Sequence, residues 1–298
     1  MSLQPFNKPP LTYLEQLQQL ENRGLIIPNQ QKTIHLLESI SYYRLSGYWY
    51  PLLADKQNHI FKQNVTFDTA FNLYCFDREL RVLIIKELEK IEVSIRAKMM
   101  YLLSHQNGAF WYQDTNLFKN QIKHSKNLVK LDEEYNRSDA DFIISFKNKY
   151  SNPLPPSWML LELTSFGTLS SLYSNLKPTR TKRDIANYFG LNESTFVSWM
   201  HSVVYIRNVC AHHSRLWNRV MSIQPIRPNN PTKDWLQNNT IPNNKTYFIL
   251  SMILYLLQTI NPNNTFSNRF KNLLEKYPNV DTRAMGFPNN WRDENLWK

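Results

Sequence analysis

The chain has 298 residues, 42% of them hydrophobic and 13% aromatic, enough for a sizeable core in one large domain or two small ones. Its 35 basic and 24 acidic residues leave a formal charge of +11. That favours an anionic partner, and nucleic acid before a membrane surface, because arginines and aromatics are interleaved rather than lysines gathered in one tail. Six glycines, with no G-x-G-x-x-G and no G-x-x-x-x-G-K-[ST], argue against dinucleotide-binding and P-loop enzymes.

Two distant cysteines, Cys75 and Cys210, with no C-x-x-C, exclude a zinc ribbon and read as reduced, buried thiols. Residues 1–10 lack a basic region followed by an apolar core, and the most apolar run, 248–257, is too short to span a bilayer. The expectation is a cytoplasmic protein with no membrane partner.

Taken in order, the chain reads as a series of helices. The pattern Thr12-x-x-Glu15 is a capping box for a helix ending before Gly24, with Leu14, Leu17 and Leu20 as its apolar side. Asn29 begins a second helix. It runs into 42–51, where five aromatics surround Arg44, and Gly47 and Pro51 are expected to break it. Those rings could stack on bases while Arg44 holds a phosphate; wedging between helices is the alternative.

Residues 67–106 form the longest helical stretch, expected to break near 75–77. Leu80, Leu83, Ile84, Leu88, Ile91, Ile95, Met99 and Leu102 recur at helical spacing as core, and Glu92 can pair with Arg96 four residues on. A polar helix over 117–137 places His124 in solvent. Pro-rich 152–156 is the clearest break in the chain, and Glu162 beyond it is expected to be buried against Arg207 or Arg215. The basic loop 177–183, with Arg180, Lys182 and Arg183, is the best secondary candidate for contacts to a nucleic-acid backbone. Asn192 or Ser194 caps the next helix. The polar, Pro-rich 224–244 reads as a surface excursion, followed by apolar helices at 245–260 and 266–276. The tail, with Trp291 and Trp297, is expected to fold back.

The stretch 207–219 carries Arg207, Asn208, His212, His213, Arg215, Asn218 and Arg219 in thirteen positions. On one continuous helix these form a polar arc opposite an apolar arc of Val203, Ile206, Val209, Cys210, Leu216, Trp217 and Val220, with His213 turned towards the core. Arg207 and His212 then lie about 140° apart, so a bend or a second subunit is needed to bring them onto one phosphate. Adjacent histidines cannot grip one ion from a regular helix, so neither a metal nor a cofactor is expected. A guanidinium fork matches a phosphate and an imidazole moves protons near neutrality. Together they suit cleavage of RNA by its own 2′-hydroxyl, and the need for both an acid and a base points to a composite site at a two-fold interface.

Arg207-Asn208-x3-His212 resembles the R-x4-6-H motif of the HEPN superfamily. The string RNVCAHHSRLWNR, with the stretches 41–51, 155–170 and 285–291, is similar to the signature of bacterial abortive-infection (Abi-like) proteins. The resemblance implies an all-α, HEPN-like helical bundle over 1–298. Residues 1–65 would be an N-terminal helical extension, 66–220 the core with the motif helix, and 221–298 C-terminal helices and tail. It also implies a homodimer in phage defence and a metal-independent endoribonuclease. Arg207 and His212 carry over as catalytic and Asn208 as supporting, with Arg215, Arg219 and Asn218 on flanking phosphates. RNA is the expected partner, as substrate or as a structured noncoding RNA held without cutting. Glu89 or Glu92, from the long helix, is the candidate for orienting Arg207. A protein-targeting toxin–antitoxin component is the third reading.

Overall fold

The computed structural model describes residues 5–298, and within them twelve α-helices and one two-stranded antiparallel hairpin make an all-α protein. The chain falls into two compact units, one of residues 5–79 with 273–280, the other of 80–272 with 281–298.

In the first unit α1 (Tyr13–Asn22) opens on the capping box. The Thr12 N–H donates to Glu15 at 2.7 Å, and the Glu15 N–H donates back to the Thr12 hydroxyl at 3.3 Å. Leu17 and Leu20 are buried but Leu14 is exposed, so the apolar side of α1 is narrower than its leucines suggest. α2 (Gln30–Ile40) is capped by Asn29. α3 (Tyr42–Trp49) passes straight through Gly47; the break lies instead at Ser41, whose φ of 80° turns the chain and whose hydroxyl accepts from the Arg44 N–H. The hairpin β1 (Leu53–Asp55) and β2 (Ile60–Phe61) comes next. Leu17, Leu20, Leu37, Leu45, Trp49, Phe61 and Phe67 pack into one core.

α4 (Phe67–Asn107) is a single helix of 41 residues, without the break expected near 75–77. It contains no glycine or proline. The polar interruption, Asp77, is buried and accepts a hydrogen bond from the Tyr48 hydroxyl at 2.7 Å. Its residues through Glu79 belong to the first unit and the rest to the second.

In the second unit Leu80, Ile84, Leu88, Ile91, Ile95 and Met99 of α4 are buried as the periodicity requires, with Leu83 and Leu102 half-buried. Beyond α4 come α5 (Gln121–Arg137), α6 (Asp141–Lys149), α7 (Ser157–Leu163), α8 (Phe166–Asn175), α9 (Arg180–Tyr188) and α10 (Glu193–Ala211). His124 on α5 is buried, not solvated. It stacks on Phe118 with ring centres 4.0 Å apart and pairs with the Tyr112 carbonyl at 2.8 Å. α10 packs against α8 and α9, and α5 against α7 and α8. α11 (Thr246–Ile260) is buried along its length to Leu257, and α12 (Phe266–Lys276) begins in this unit. The tail folds back as expected: Trp297 is fully buried, its ring N–H donating to the Ser251 hydroxyl at 3.0 Å. Among the described residues no helix is long and apolar enough to cross a membrane.

Gly190 sets the angle between α9 and α10. Its φ is +73°, and a Cβ there would stand 2.5 Å from the Thr232 hydroxyl and 2.7 Å from that of Tyr255, which donates to the Gly190 carbonyl. Gly190→Ala should therefore cost about 2–4 kcal/mol through overpacking and the left-handed backbone. A urea midpoint equal to that of the wild type would contradict this.

Candidate functional site

α10 begins where Asn192 accepts a hydrogen bond from the Thr195 N–H at 2.9 Å, one of the two caps expected. It does not continue to Arg219. The last helical residue is Ala211, His212 is the C-cap, and His213 is left-handed with φ of 55°. The His213 N–H donates to the Cys210 carbonyl at 3.1 Å and the Ser214 N–H to Val209 at 3.0 Å, the paired bonds of a Schellman turn. Glycine usually fills that left-handed position, so the absence of one after Ala211 concealed the end of the helix. The wheel therefore holds only up to His212.

The consequences differ by residue. Val203, Ile206, Val209, Cys210, Leu216 and Trp217 are buried as expected. Val220 is exposed, because it lies beyond the turn, and His213 is exposed rather than turned into the core. Arg207, Asn208 and His212 are exposed at the end of α10; Arg215, Asn218 and Arg219 are half-buried in the segment after it. The Arg207 guanidinium donates to Asn208 Oδ1 at 3.4 Å. The His212 N–H still bonds the Asn208 carbonyl at 2.9 Å, so the two residues sit one above the other on the last turn.

The loop after the turn is tied down from three sides. Arg81 of α4, only 5% exposed, donates to the Ser214 carbonyl at 3.4 Å. The buried Thr246 hydroxyl reaches the Trp217 carbonyl at 2.9 Å, and the Met221 N–H donates to Asn244 at 2.9 Å. Arg219 is thereby brought back over α10, its Nε donating to the Tyr205 hydroxyl at 2.8 Å and its Nη1 to the Arg215 carbonyl at 3.2 Å.

Sequence reasoning missed two of these groups. Tyr205 falls among the apolar residues that precede Arg207, although it stands three residues before Asn208 and four after His201 and so shares their face. Burial pushes its hydroxyl up, but the hydrogen bonds from Ser222 and Arg219 and the Arg219 charge together hold it below the ordinary phenol value. Arg81 carried no signal beyond being an arginine at a core position of α4.

Other candidates fall elsewhere. Arg44 is exposed on α3 in the first unit. Arg180 and Arg183 are exposed on α9, which begins at Arg180 rather than after a loop. Lys182 is not available to a backbone phosphate. It is fully buried, its ammonium 2.8 Å from Glu193 Oε1 and 2.9 Å from the Leu176 carbonyl, and burial pulls its pKa down. Glu162 is exposed, not buried against an arginine. Glu92 pairs with Arg96 at 2.7 Å as its spacing suggested. Among the described residues no three His, Cys, Asp or Glu side chains gather into a site for a metal ion.

The profile of Abi-like proteins matches residues 35–218, which runs from α2 to the pinned loop after α10. The chain belongs to the Abi-like protein family. That membership ties it to abortive infection, the phage-defence response. The Abi-like match ends within the segment that carries the exposed arginine–asparagine pair and His212. Neither a search of curated proteins nor one of solved structures finds a match.

The Arg219–Tyr205 contact can be read directly. A cationic donor favours the phenolate, so Arg219→Gln should move the ionisation of Tyr205 to higher pH. The difference titration at 295 nm between each protein and its Tyr205→Phe counterpart measures it; no shift, or a downward one, would refute the contact.

Proposed function

We propose that this Abi-like protein is a metal-independent RNA endonuclease of phage defence that acts as a homodimer, with two copies of the α10 terminus meeting over one substrate. The observation that carries this reading is the exposed, hydrogen-bonded Arg207–Asn208 pair with His212 stacked one turn above Asn208, where the helix stops.

The groups dictate the chemistry. A base takes the proton of a ribose 2′-hydroxyl, whose oxygen attacks the adjacent phosphorus. The P–O5′ bond breaks, and an acid protonates the departing 5′-oxygen. The products are a 2′,3′-cyclic phosphate and a 5′-hydroxyl. Arg207 stabilises the charge that builds on the phosphorane, and Asn208 fixes its guanidinium. His212 supplies one proton transfer, and the second protomer's copy of His212 supplies the other. Tyr205, whose hydroxyl burial pushes up but Ser222 and Arg219 together hold low, is a competing source for the second transfer. Arg215, Arg219 and Asn218 bind flanking phosphates, with Arg180 and Arg183 further along the strand; Lys182 drops out because its charge is neutralised internally.

His212→Ala and Arg207→Ala should each lower RNA cleavage by a factor of roughly 10²–10⁴ while circular dichroism stays unchanged. Cleavage by the wild type should persist in EDTA and leave cyclic-phosphate ends. Undiminished cutting by His212→Ala would discard the mechanism. Tight, salt-sensitive RNA binding without cutting by any preparation would make the site a non-catalytic holder of RNA. If Tyr205→Phe alone matches the loss in His212→Ala, the second proton carrier lies within one protomer.

A further inference from the structure

We propose that the hollow between α1, α3 and the hairpin of the first unit binds a nucleobase together with its adjoining phosphate. It does not rest on the α10 site: its lining residues all lie between Phe6 and Phe61. Its volume is about 580 Å³, in the range of small-molecule sites.

The lining combines flat apolar faces with cations. Tyr43 is 90% exposed and Tyr50 46% exposed, and both line the hollow. Neither ring is used by the core of the unit. A large ring left in water beside a concave surface is a natural stacking platform, because every base offers a π-face. Tyr42 forms a fixed wall between them. Its hydroxyl accepts from Arg23 at 2.7 Å and from Gln19 at 3.1 Å, and its ring packs edge-on against Trp49 at 5.0 Å. Arg23 and Lys8 place positive charge on the lining, and among the described residues no acidic side chain lines it. Planar, anionic ligands suit such a surface; neutral or cationic ones do not.

A second hollow of about 340 Å³ adjoins the first and shares Leu11, Gln19, Tyr42 and Tyr43 with it. Gln16 lines this one. Its amide N–H donates to the Leu11 carbonyl at 2.9 Å, which fixes the side-chain oxygen as the other end, and that oxygen is buried with no hydrogen-bond partner. An unpaired buried acceptor costs stability unless something donates to it. The ring N–H or exocyclic amine of a base is a donor of the right kind. A free nucleotide and an unpaired nucleotide of an RNA strand share this chemistry.

The test uses the full chain carrying Arg207→Ala and His212→Ala, so that RNA survives and the α10 arginine does not compete. Two photoreactive probes are cross-linked to it, 8-azidoadenosine 5′-monophosphate and a 4-thiouridine-containing hexamer, and the adducts are mapped by mass spectrometry. At least one probe should label peptides within residues 6–61. Adding Tyr43→Ala should weaken the affinity of that probe by about fivefold to a hundredfold, and Tyr43→Trp should restore it. Labelling by the mononucleotide identifies a free nucleotide as the ligand; labelling by the hexamer alone identifies a nucleotide within a strand. Adducts only outside 6–61, no labelling by either probe, or an affinity untouched by Tyr43→Ala would overturn the proposal. Because cleavage plays no part in the readout, a failure here leaves the α10 reading standing, and the reverse.

Discussion

Two backbone hydrogen bonds at the end of α10 govern where the chemistry of this protein lies. The Ser214 and His213 amides close the Schellman turn onto Val209 and Cys210, which leaves one histidine held at positive φ. A non-glycine residue there costs on the order of 1 kcal/mol, so the turn persists only because the loop beyond it is pinned. Leu216 and Trp217 are buried, Thr246 holds their carbonyls, and Arg81 holds that of Ser214. Had the helix run on, Arg215 and Arg219 would project further along its axis. Because it stops, Arg219 returns to Tyr205, and one helix end gathers arginines, an asparagine, a phenol and an imidazole.

Much of this was legible in the sequence, and the reasons for the exceptions are physical. Apolar spacing located the long core helix and the buried α11, and the Thr12 and Asn192 caps were readable because a capping side chain acts on its own neighbours. Three misreadings involve polar groups whose partners lie on other elements of the fold. Asp77 reads as a break until Tyr48 is seen to satisfy it, His124 reads as solvated until Tyr112 and Phe118 enclose it, and Lys182 reads as an RNA contact until Glu193 neutralises it. In each case the residue type signals exposure, and one distant hydrogen bond reverses it.

The candidate site was partly legible for a similar reason. Arg207, Asn208 and His212 stand within one turn and a half of helix, so spacing alone groups them. Tyr205 and Arg219 are fourteen residues apart, and their contact exists only because the helix ends where no glycine announces it. The wide angle between Arg207 and His212 is a different matter: α10 stays helical to Ala211 with His212 as its cap, so that angle stands.

Glu87 carries a consequence for how the chain is made. This carboxylate is fully buried on α4, beside Lys90, and its other charged partner, Arg269, lies 182 residues further along. A ribosome working at about 5–20 residues per second would reach that arginine roughly 10–40 s after the glutamate emerges. Until then the acid has Lys90 but not Arg269 as a counter-charge. The nascent polypeptide thus completes this pair long after the glutamate is made, and a translation product truncated before Arg269 would lack it.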